Sequence, residues 1–136
     1  MTVMGGAIGV GNIKPHAEFN ILVDPIAADI VFKLGARLSL SMVPLEVTHK
    51  VLVTQNVLDQ LKERISPQLF SMFQGLLLFF DKTYREVFGF KDGPPLHDPT
   101  AVLFALEPQL FEGNLYHVDI GNKWQNHFRS YLCGHL

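Results

Sequence analysis

A glycine-rich stretch close to the start of the chain limits the folds that this sequence can adopt. Between residues 5 and 20, four glycines and one proline interrupt the sequence, at Gly5, Gly6, Gly9, Gly11 and Pro15. This composition is typical of an irregular loop, because glycine allows backbone angles that other residues avoid. The preceding Thr2-Val3-Met4 has the composition of a strand. The sequence therefore predicts a strand that runs into a long loop, and loops of this length are often functional.

The next segments predict a helix followed by a second strand. Asp24 and Pro25 have the residue types of an N-cap and a first helical position, and Gly35 provides the end of that helix. Residues 38–43 then alternate apolar side chains with serines and end at Pro44, as a strand does. A helix that connects two strands predicts an α/β fold.

The second half of the chain is predicted to be mainly helical. Thr54–Ile65 has apolar residues along one side, and Ser66-Pro67 begins a longer helix that ends at Gly89. Apolar residues at steps of three and four along the longer helix predict a wide buried face. A short helix over Thr100–Leu106 and a strand over Leu115–Ile120 complete the predicted elements.

Composition excludes several classes of function. The chain has 136 residues, the length of one ordinary domain, with 48% hydrophobic residues and a formal net charge of −2. No run of Lys or Arg provides a surface for nucleic acid or an anionic membrane, and the longest apolar stretch, Leu76–Phe80, is far too short to span a bilayer. The single cysteine, Cys133, cannot form an internal disulfide. A cytoplasmic location is the expectation.

Three polar residues in and after the glycine-rich stretch are candidates for binding a sugar. Asn12, Glu18 and Asn20 can each hydrogen-bond hydroxyl groups. Neither phosphate-binding motif fits, because the glycines follow the order G-x-x-G-x-G and no Gly-Lys-Ser/Thr follows. Two interpretations remain open from the pattern alone, a sugar-binding loop and a solvated loop.

The pair His97-Asp98 is the second candidate. A histidine that exchanges protons near neutral pH stands beside a carboxylate that can bind a hard cation. The alternative is structural, because Asp98-Pro99 repeats the helix-capping pattern of Asp24-Pro25. The other histidines lack the spacing of a zinc site, and no G-x-S-x-G nucleophile motif occurs.

Taken together, several ordered segments resemble the inosine-uridine nucleoside hydrolases. The resemblance covers about residues 1–120 and corresponds to the carboxy-terminal half of the family, with residues 121–136 as a divergent tail. Its segments are Val3-Met4-Gly5-Gly6-Ala7, Gly11-Asn12, Ala17-Glu18-Phe19-Asn20, Asp24-Pro25 with Ala27-Ala28, Pro44-Leu45 with Thr48-His49, and Asp92-Gly93-Pro94-Pro95-Leu96-His97-Asp98-Pro99.

The resemblance implies a fold, an activity and roles for particular residues. The fold would be part of an open, mostly parallel, Rossmann-like sheet with flanking helices. The reaction would be hydrolysis of the N-glycosidic bond of a purine or pyrimidine ribonucleoside, such as inosine or uridine, to ribose and free base. Asn12, Glu18 and Asn20 would bind ribose hydroxyls and Met4 would line the sugar pocket. Asp98 would bind calcium and the substrate, and His97 would protonate the departing base.

One part of the family pattern is absent from this sequence. The family's amino-terminal Asp-x-Asp, followed shortly by Asp-Asp, supplies most of the calcium carboxylates, and no such cluster occurs here. Calcium takes about 6 to 8 oxygen ligands, so Asp98 alone would leave the site incomplete. Three hypotheses follow: a hydrolase that requires the missing half, an inactive module that binds nucleosides or a full-length relative, and a product that does not fold alone. The possible protein partners are a second copy of the chain and a full-length relative.

Overall fold

The computed structural model describes residues 1–35, 39–121 and 132–133. It has two compact units, one from Met1–Thr48 together with the chain from His97 onward, and one from His49–Leu96. In chain order the elements are β1 (Thr2–Met4), α1 (Phe19–Val23), α2 (Pro25–Gly35), β2 (Ser41–Val43), α3 (Leu45–Thr48), α4 (Gln55–Arg64), α5 (Pro67–Phe88), α6 (His97–Leu106), a 3₁₀ turn (Pro108–Leu110), β3 (His117–Val118) and β4 (Leu132–Cys133).

A short parallel sheet organises the first unit. β1 pairs with β2 in a parallel register that places Met4 opposite Val43. The pairing continues past both ends, because Ser41 N donates to Met1 O at 2.9 Å and Gly5 N donates to Val43 O at 3.3 Å. Parallel strands need a long crossover connection, which here contains α1 and α2. The predicted α/β fold with a parallel sheet is confirmed.

The core of the first unit lies around β2 and the elements next to it. Val43 and Leu45 are almost completely buried, as are Thr48, Thr100 and Ala101. α6 packs against both β1 and α3. It therefore contacts the sheet and also the helix that follows β2. The chain leaves β2 through Pro44, and Leu45 N then donates to Gly6 O at 3.0 Å. That hydrogen bond joins the start of α3 to the loop that follows β1.

Helix boundaries agree with the capping residues in most places. Asp24 Oδ1 accepts from Ala27 N at 2.9 Å at the start of α2, which runs to Gly35 as predicted. The strand predicted over residues 38–43 is shorter, at Ser41–Val43, and residue 38 lies outside the described residues. α1 has no counterpart among the predicted elements, because the sequence predicts a loop over residues 5–20, whereas Asn20 lies in the first turn of this helix.

The second unit consists of α4, α5 and their flanking segments. Thr54 Oγ1 accepts from Val57 N and Ser66 Oγ accepts from Leu69 N, so both predicted N-caps are present. α5 ends at Gly89, which has a φ of +74°. The wide buried face predicted for α5 is wrong for the described chain, because none of its residues is buried and Phe79 is 71% exposed. The physical reason is that the unit is small and provides little besides α4 to cover a 22-residue helix.

The segment before α6 is held by backbone hydrogen bonds within the second unit. Val53 N donates to Pro94 O and Leu96 N donates to Val51 O, each at 2.9 Å. Gly93 directly precedes Pro94 and has a φ of +133°. A side-chain carbon at this position would lie 2.1 Å from Val53 O, which no relaxed structure permits. Glycine is therefore required by both the backbone angle and the close approach.

The remaining strands are short. β3 and β4 pair antiparallel, and β3 is only a part of the strand predicted over Leu115–Ile120.

Among the described residues, no helix has the length and apolar character needed to cross a membrane.

We expect Gly93→Ala to lower the free energy of unfolding by about 1–3 kcal/mol from backbone strain at this φ alone. The collision of the added carbon with Val53 O would lower it further. Gly75→Ala is the matched control, because Gly75 lies inside α5 with nothing within 4 Å of the added carbon. Alanine is the better helix former, so this change should raise stability by up to about 1 kcal/mol. Urea unfolding followed by circular dichroism measures both, and equal midpoints for the two variants would contradict the prediction.

Candidate active site

The first candidate cluster lies at the carboxyl end of β1, where a buried carboxylate joins the loop to α1. Glu18 is only 3% exposed. Its Oε2 accepts from Gly6 N at 3.0 Å and from Ile21 N at 3.2 Å, and its Oε1 accepts from Asn20 N at 2.9 Å. An ionised carboxylate has about four acceptor positions, so these bonds use three of them. Glu18 is thus the N-cap of α1 and the anchor of the glycine-rich loop.

Two asparagines flank this carboxylate. Asn12 Oδ1 accepts from Phe19 N at 2.9 Å, which places it beside the start of α1. Asn20 Nδ2 donates to Met4 Sδ at 3.2 Å, with Met4 O at 3.5 Å. The structure therefore brings together Met4, Glu18 and Asn20, with Asn12 on the neighbouring loop. Their role in binding a ribose remains a prediction.

The loop turns sharply at Gly11, directly before Asn12. Gly11 N donates to Pro15 O at 3.0 Å, and Ala17 N donates to Lys14 O at 3.1 Å. A side-chain carbon on Gly11 would lie 2.2 Å from Ala17 O and 2.4 Å from Lys14 O. The turn can close only with glycine at this position, and its closure sets the position of Asn12.

A second glutamate, which no sequence motif marks, supports the tip of the loop. Glu46 lies in α3, and its Oε1 accepts from Ile8 N at 2.9 Å and from Gly9 N at 2.8 Å. Its Oε2 is buried and has no hydrogen-bond partner among the described residues. Glu46 and Glu18 therefore hold the loop at two points, but Glu46 uses only one of its two oxygens to do so. The sequence carries no local signal for this contact, because the partners are 37 and 38 residues away.

The second candidate cluster is centred on His97. The helix predicted from Thr100 begins earlier, because α6 starts at His97 and places both His97 and Asp98 in its first turn. This happens because an acidic residue and a proline are favourable at the start of a helix. His97 Nδ1 lies 2.8 Å from Thr48 Oγ1, the hydroxyl of a completely buried residue at the end of α3. Asp98 is exposed.

The two clusters lie after adjacent strand ends in the same unit. Met4 and Val43 are register partners at the ends of β1 and β2. The first cluster follows β1 directly, and Thr48 of the second lies on α3, which follows β2. In open α/β sheets, ligands bind beyond the carboxyl ends of the strands. Both sets of predicted residues are therefore on the side of the sheet where such folds bind ligands.

The described residues do not form a complete calcium site. Among them, no group of three or more His, Cys, Asp or Glu side chains is placed to hold a metal ion. Calcium takes about 6 to 8 oxygen ligands, and the predicted ligand Asp98 would contribute one carboxylate. Any calcium bound here would need most of its ligands from elsewhere.

Comparisons with known proteins give one consistent answer. The model of the inosine-uridine preferring nucleoside hydrolase family matches residues 1–130. A probable ribonucleoside hydrolase of Dictyostelium discoideum is 44% identical, over 98% of this chain and 38% of its own. A pyrimidine-specific ribonucleoside hydrolase of Shewanella baltica is 43% identical over 82% of this chain and 34% of its own. The solved structure of a purine-preferring ribonucleoside hydrolase from Gardnerella vaginalis matches with a TM-score of 0.80 at 30% identity, over 93% of this chain and 40% of that one.

The chain thus spans between 34% and 40% of the length of these three proteins. The matched residues include the glycine-rich loop, both glutamates, Thr48 and His97. The expectation of a nucleoside hydrolase fold is confirmed by the structural similarity. Because the family model covers residues 1–130 of 136, the chain belongs to the inosine-uridine preferring nucleoside hydrolase family.

Proposed function

We propose that this chain supplies the sugar-binding and leaving-group part of a ribonucleoside hydrolase, which cleaves the N-glycosidic bond of a purine or pyrimidine ribonucleoside to ribose and free base. The observation that carries the proposal is the position of the two clusters beyond the adjacent carboxyl ends of β1 and β2. Since the chain spans at most 40% of the length of the three relatives, hydrolysis in this proposal requires the rest of the family fold.

The first cluster binds the ribose in this proposal. Asn12 and Asn20 present amide groups that can donate to and accept from sugar hydroxyls, and Glu18 has one acceptor position left, on Oε1. Met4 contributes the apolar wall, and its contact with Asn20 Nδ2 fixes the direction of that amide. The buried carboxylate of Glu18 fixes the loop, so the cluster is already ordered before a substrate binds. Preorganisation of this kind lowers the entropic cost of binding.

The second cluster handles the departing base. His97 donates a proton to the base as the glycosidic bond breaks, so the base leaves in a neutral form. A positioned general acid contributes typically about 10² to 10⁴ in rate. The relatives named above include one that is pyrimidine-specific and one that is purine-preferring, so uridine and inosine are the pair of substrates to compare.

Calcium is the proposed metal, with Asp98 as one ligand that also contacts the substrate. The described residues do not fit a complete site, so the remaining carboxylates must come from the part of the family fold that this chain does not span. The roles proposed for the ribose cluster and for His97 do not depend on where the metal ion lies. The proposed location is cytoplasmic.

Exposed apolar surface in the first unit supports the need for the rest of the fold. Ile26 and Ile30 on α2 are 59% and 51% exposed, and Val102 on α6 is 59% exposed. β1 and β2 form a sheet of only two strands among the described residues. Sheets of this kind in α/β proteins are normally buried on both faces, so additional strands and helices would cover these side chains.

A second candidate function is an inactive module that binds nucleosides or pairs with a family subunit. The observation that favours it is the lack of a metal-binding cluster among the described residues. Calorimetry with uridine, inosine and ribose distinguishes the candidates when it is combined with an assay of base release. Binding without release, even after a family amino-terminal segment is added, would favour the module.

We expect Glu18→Gln to lower the free energy of unfolding by about 1–3 kcal/mol and to weaken ribose binding, because an amide cannot accept hydrogen bonds through its nitrogen. Both oxygens of Glu18 accept from backbone N–H groups, so one N–H would face another donor. Glu46→Gln is the matched control, since only Oε1 of Glu46 accepts hydrogen bonds. Its loss of stability should be clearly smaller in urea unfolding, and the reverse order would show that Glu18 is not the anchor.

We expect His97→Gln to lower base release from uridine and inosine by about 10² to 10⁴ with little change in nucleoside affinity, as for a general acid. The assay uses the chain assembled with a separately expressed family amino-terminal segment and calcium. His117→Gln is the control, because His117 is exposed and pairs with Asp119. Full activity of the His97→Gln complex would exclude the proposed role, and an inactive, correctly assembled wild type would count against hydrolysis itself.

A further inference from the structure

The contact between Thr48 and His97 has no place in the reaction proposed so far. Thr48 Oγ1 lies 2.8 Å from His97 Nδ1, although the two residues are 49 positions apart in the chain. Thr48 has no exposed surface, and α3, which it ends, packs against α6. Threonine is branched at Cβ and has few rotamers, so burial leaves its hydroxyl little freedom to move. The ring of His97 is therefore held through Nδ1 by a fixed group.

The number of protons on the two groups limits which of them can donate the hydrogen bond. The hydroxyl of Thr48 has one proton to donate and can also accept. Thr48 Oγ1 lies 3.4 Å from the carbonyl oxygen of Leu45, which can only accept. A hydroxyl that directs its proton toward Leu45 O accepts from His97 Nδ1–H. The opposite arrangement, in which the hydroxyl donates to Nδ1, requires the neutral ring with its proton on Nε2.

Only the first arrangement suits a proton donor. The imidazolium ring carries protons on both nitrogens, so Nδ1–H needs an acceptor, and Thr48 Oγ1 provides one at 2.8 Å. After Nε2 has given up its proton, Nδ1 keeps its own and the hydrogen bond need not change. A hydroxyl that donated to Nδ1 would instead stabilise the neutral Nε2–H ring, which is a much weaker acid. The hydrogen bond at Nδ1 thus determines whether Nε2 is the nitrogen that exchanges protons.

We propose that Thr48 is a positioning residue for His97. Its hydroxyl accepts from Nδ1–H and leaves Nε2 as the nitrogen that gives its proton to the base and later regains one from solvent. No bond to Thr48 forms or breaks. The catalytic part of this inference rests on the proposed function, while the hydrogen-bond arrangement does not.

The direct test is the tautomer of His97 in the 136-residue chain labelled with ¹⁵N. Long-range proton–nitrogen correlations at a pH where the ring is neutral distinguish Nδ1–H from Nε2–H, and His97→Gln assigns the signals. We expect the Nδ1–H form in the wild type and in Thr48→Ser, which keeps the hydroxyl. Thr48→Val has nearly the same shape without a hydroxyl, and its ring should move toward Nε2–H. The other five histidines serve as internal controls.

Each outcome decides the inference. An Nε2–H ring in the wild type, or a Thr48→Val ring that stays fully Nδ1–H, overturns it. The wild-type measurement alone is sufficient if Thr48→Val fails to fold. In the assembled hydrolase we expect Thr48→Val to lower kcat by about 10- to 100-fold with a smaller change in KM, and Thr48→Ser to restore it. An inactive wild-type complex would count against the proposed function, while the tautomer measurement would still decide the role of Thr48.

Discussion

The buried carboxylate of Glu18 is the interaction on which the candidate site depends. It accepts from backbone N–H groups of two segments, the loop after β1 and the first turn of α1. A carboxylate buried without partners would be strongly unfavourable, and charge-assisted hydrogen bonds to three donors offset that penalty. The loop can therefore leave β1 in only a few ways. Its path places Asn20 against Met4 and brings Asn12 beside α1.

Local chemistry accounts for most of the elements that the sequence predicted correctly. Asp24, Thr54 and Ser66 each cap a helix with a side chain that accepts a hydrogen bond from the residue three positions ahead, so the signal and its effect lie within one turn. α1 escaped prediction because its cap is a glutamate, which is not a typical N-cap residue and is fixed by a contact with Gly6, 12 residues away. The exposure of α5 also depends on what surrounds it, and periodicity alone cannot determine that.

The residues of the candidate site also fall into two groups, those that local sequence could identify and those that it could not. Asn12, Glu18, Asn20 and the pair His97-Asp98 could be selected from residue type and loop context, and the resemblance to the family assigned them roles. Glu46 could not be selected, and Thr48 entered only as part of a segment that resembles the family, without a role, because their contacts span 37 to 49 residues. Both act on residues that the sequence did identify: Glu46 holds the loop, and Thr48 holds His97.

This arrangement separates sugar binding from bond cleavage in the proposed reaction. The ribose cluster is ordered by hydrogen bonds made within Met1–Thr48, between Glu18, Asn12 and the backbone around them. Proton donation depends instead on α6 and on its contact with α3. A calcium ion would need a group of carboxylates placed together, and the described residues form no such group. In this proposal, nucleoside binding needs only the described elements, whereas hydrolysis needs the ribose cluster, His97 and the metal site in one assembly. Loss of the metal ligands would then remove turnover before it removed recognition of the sugar.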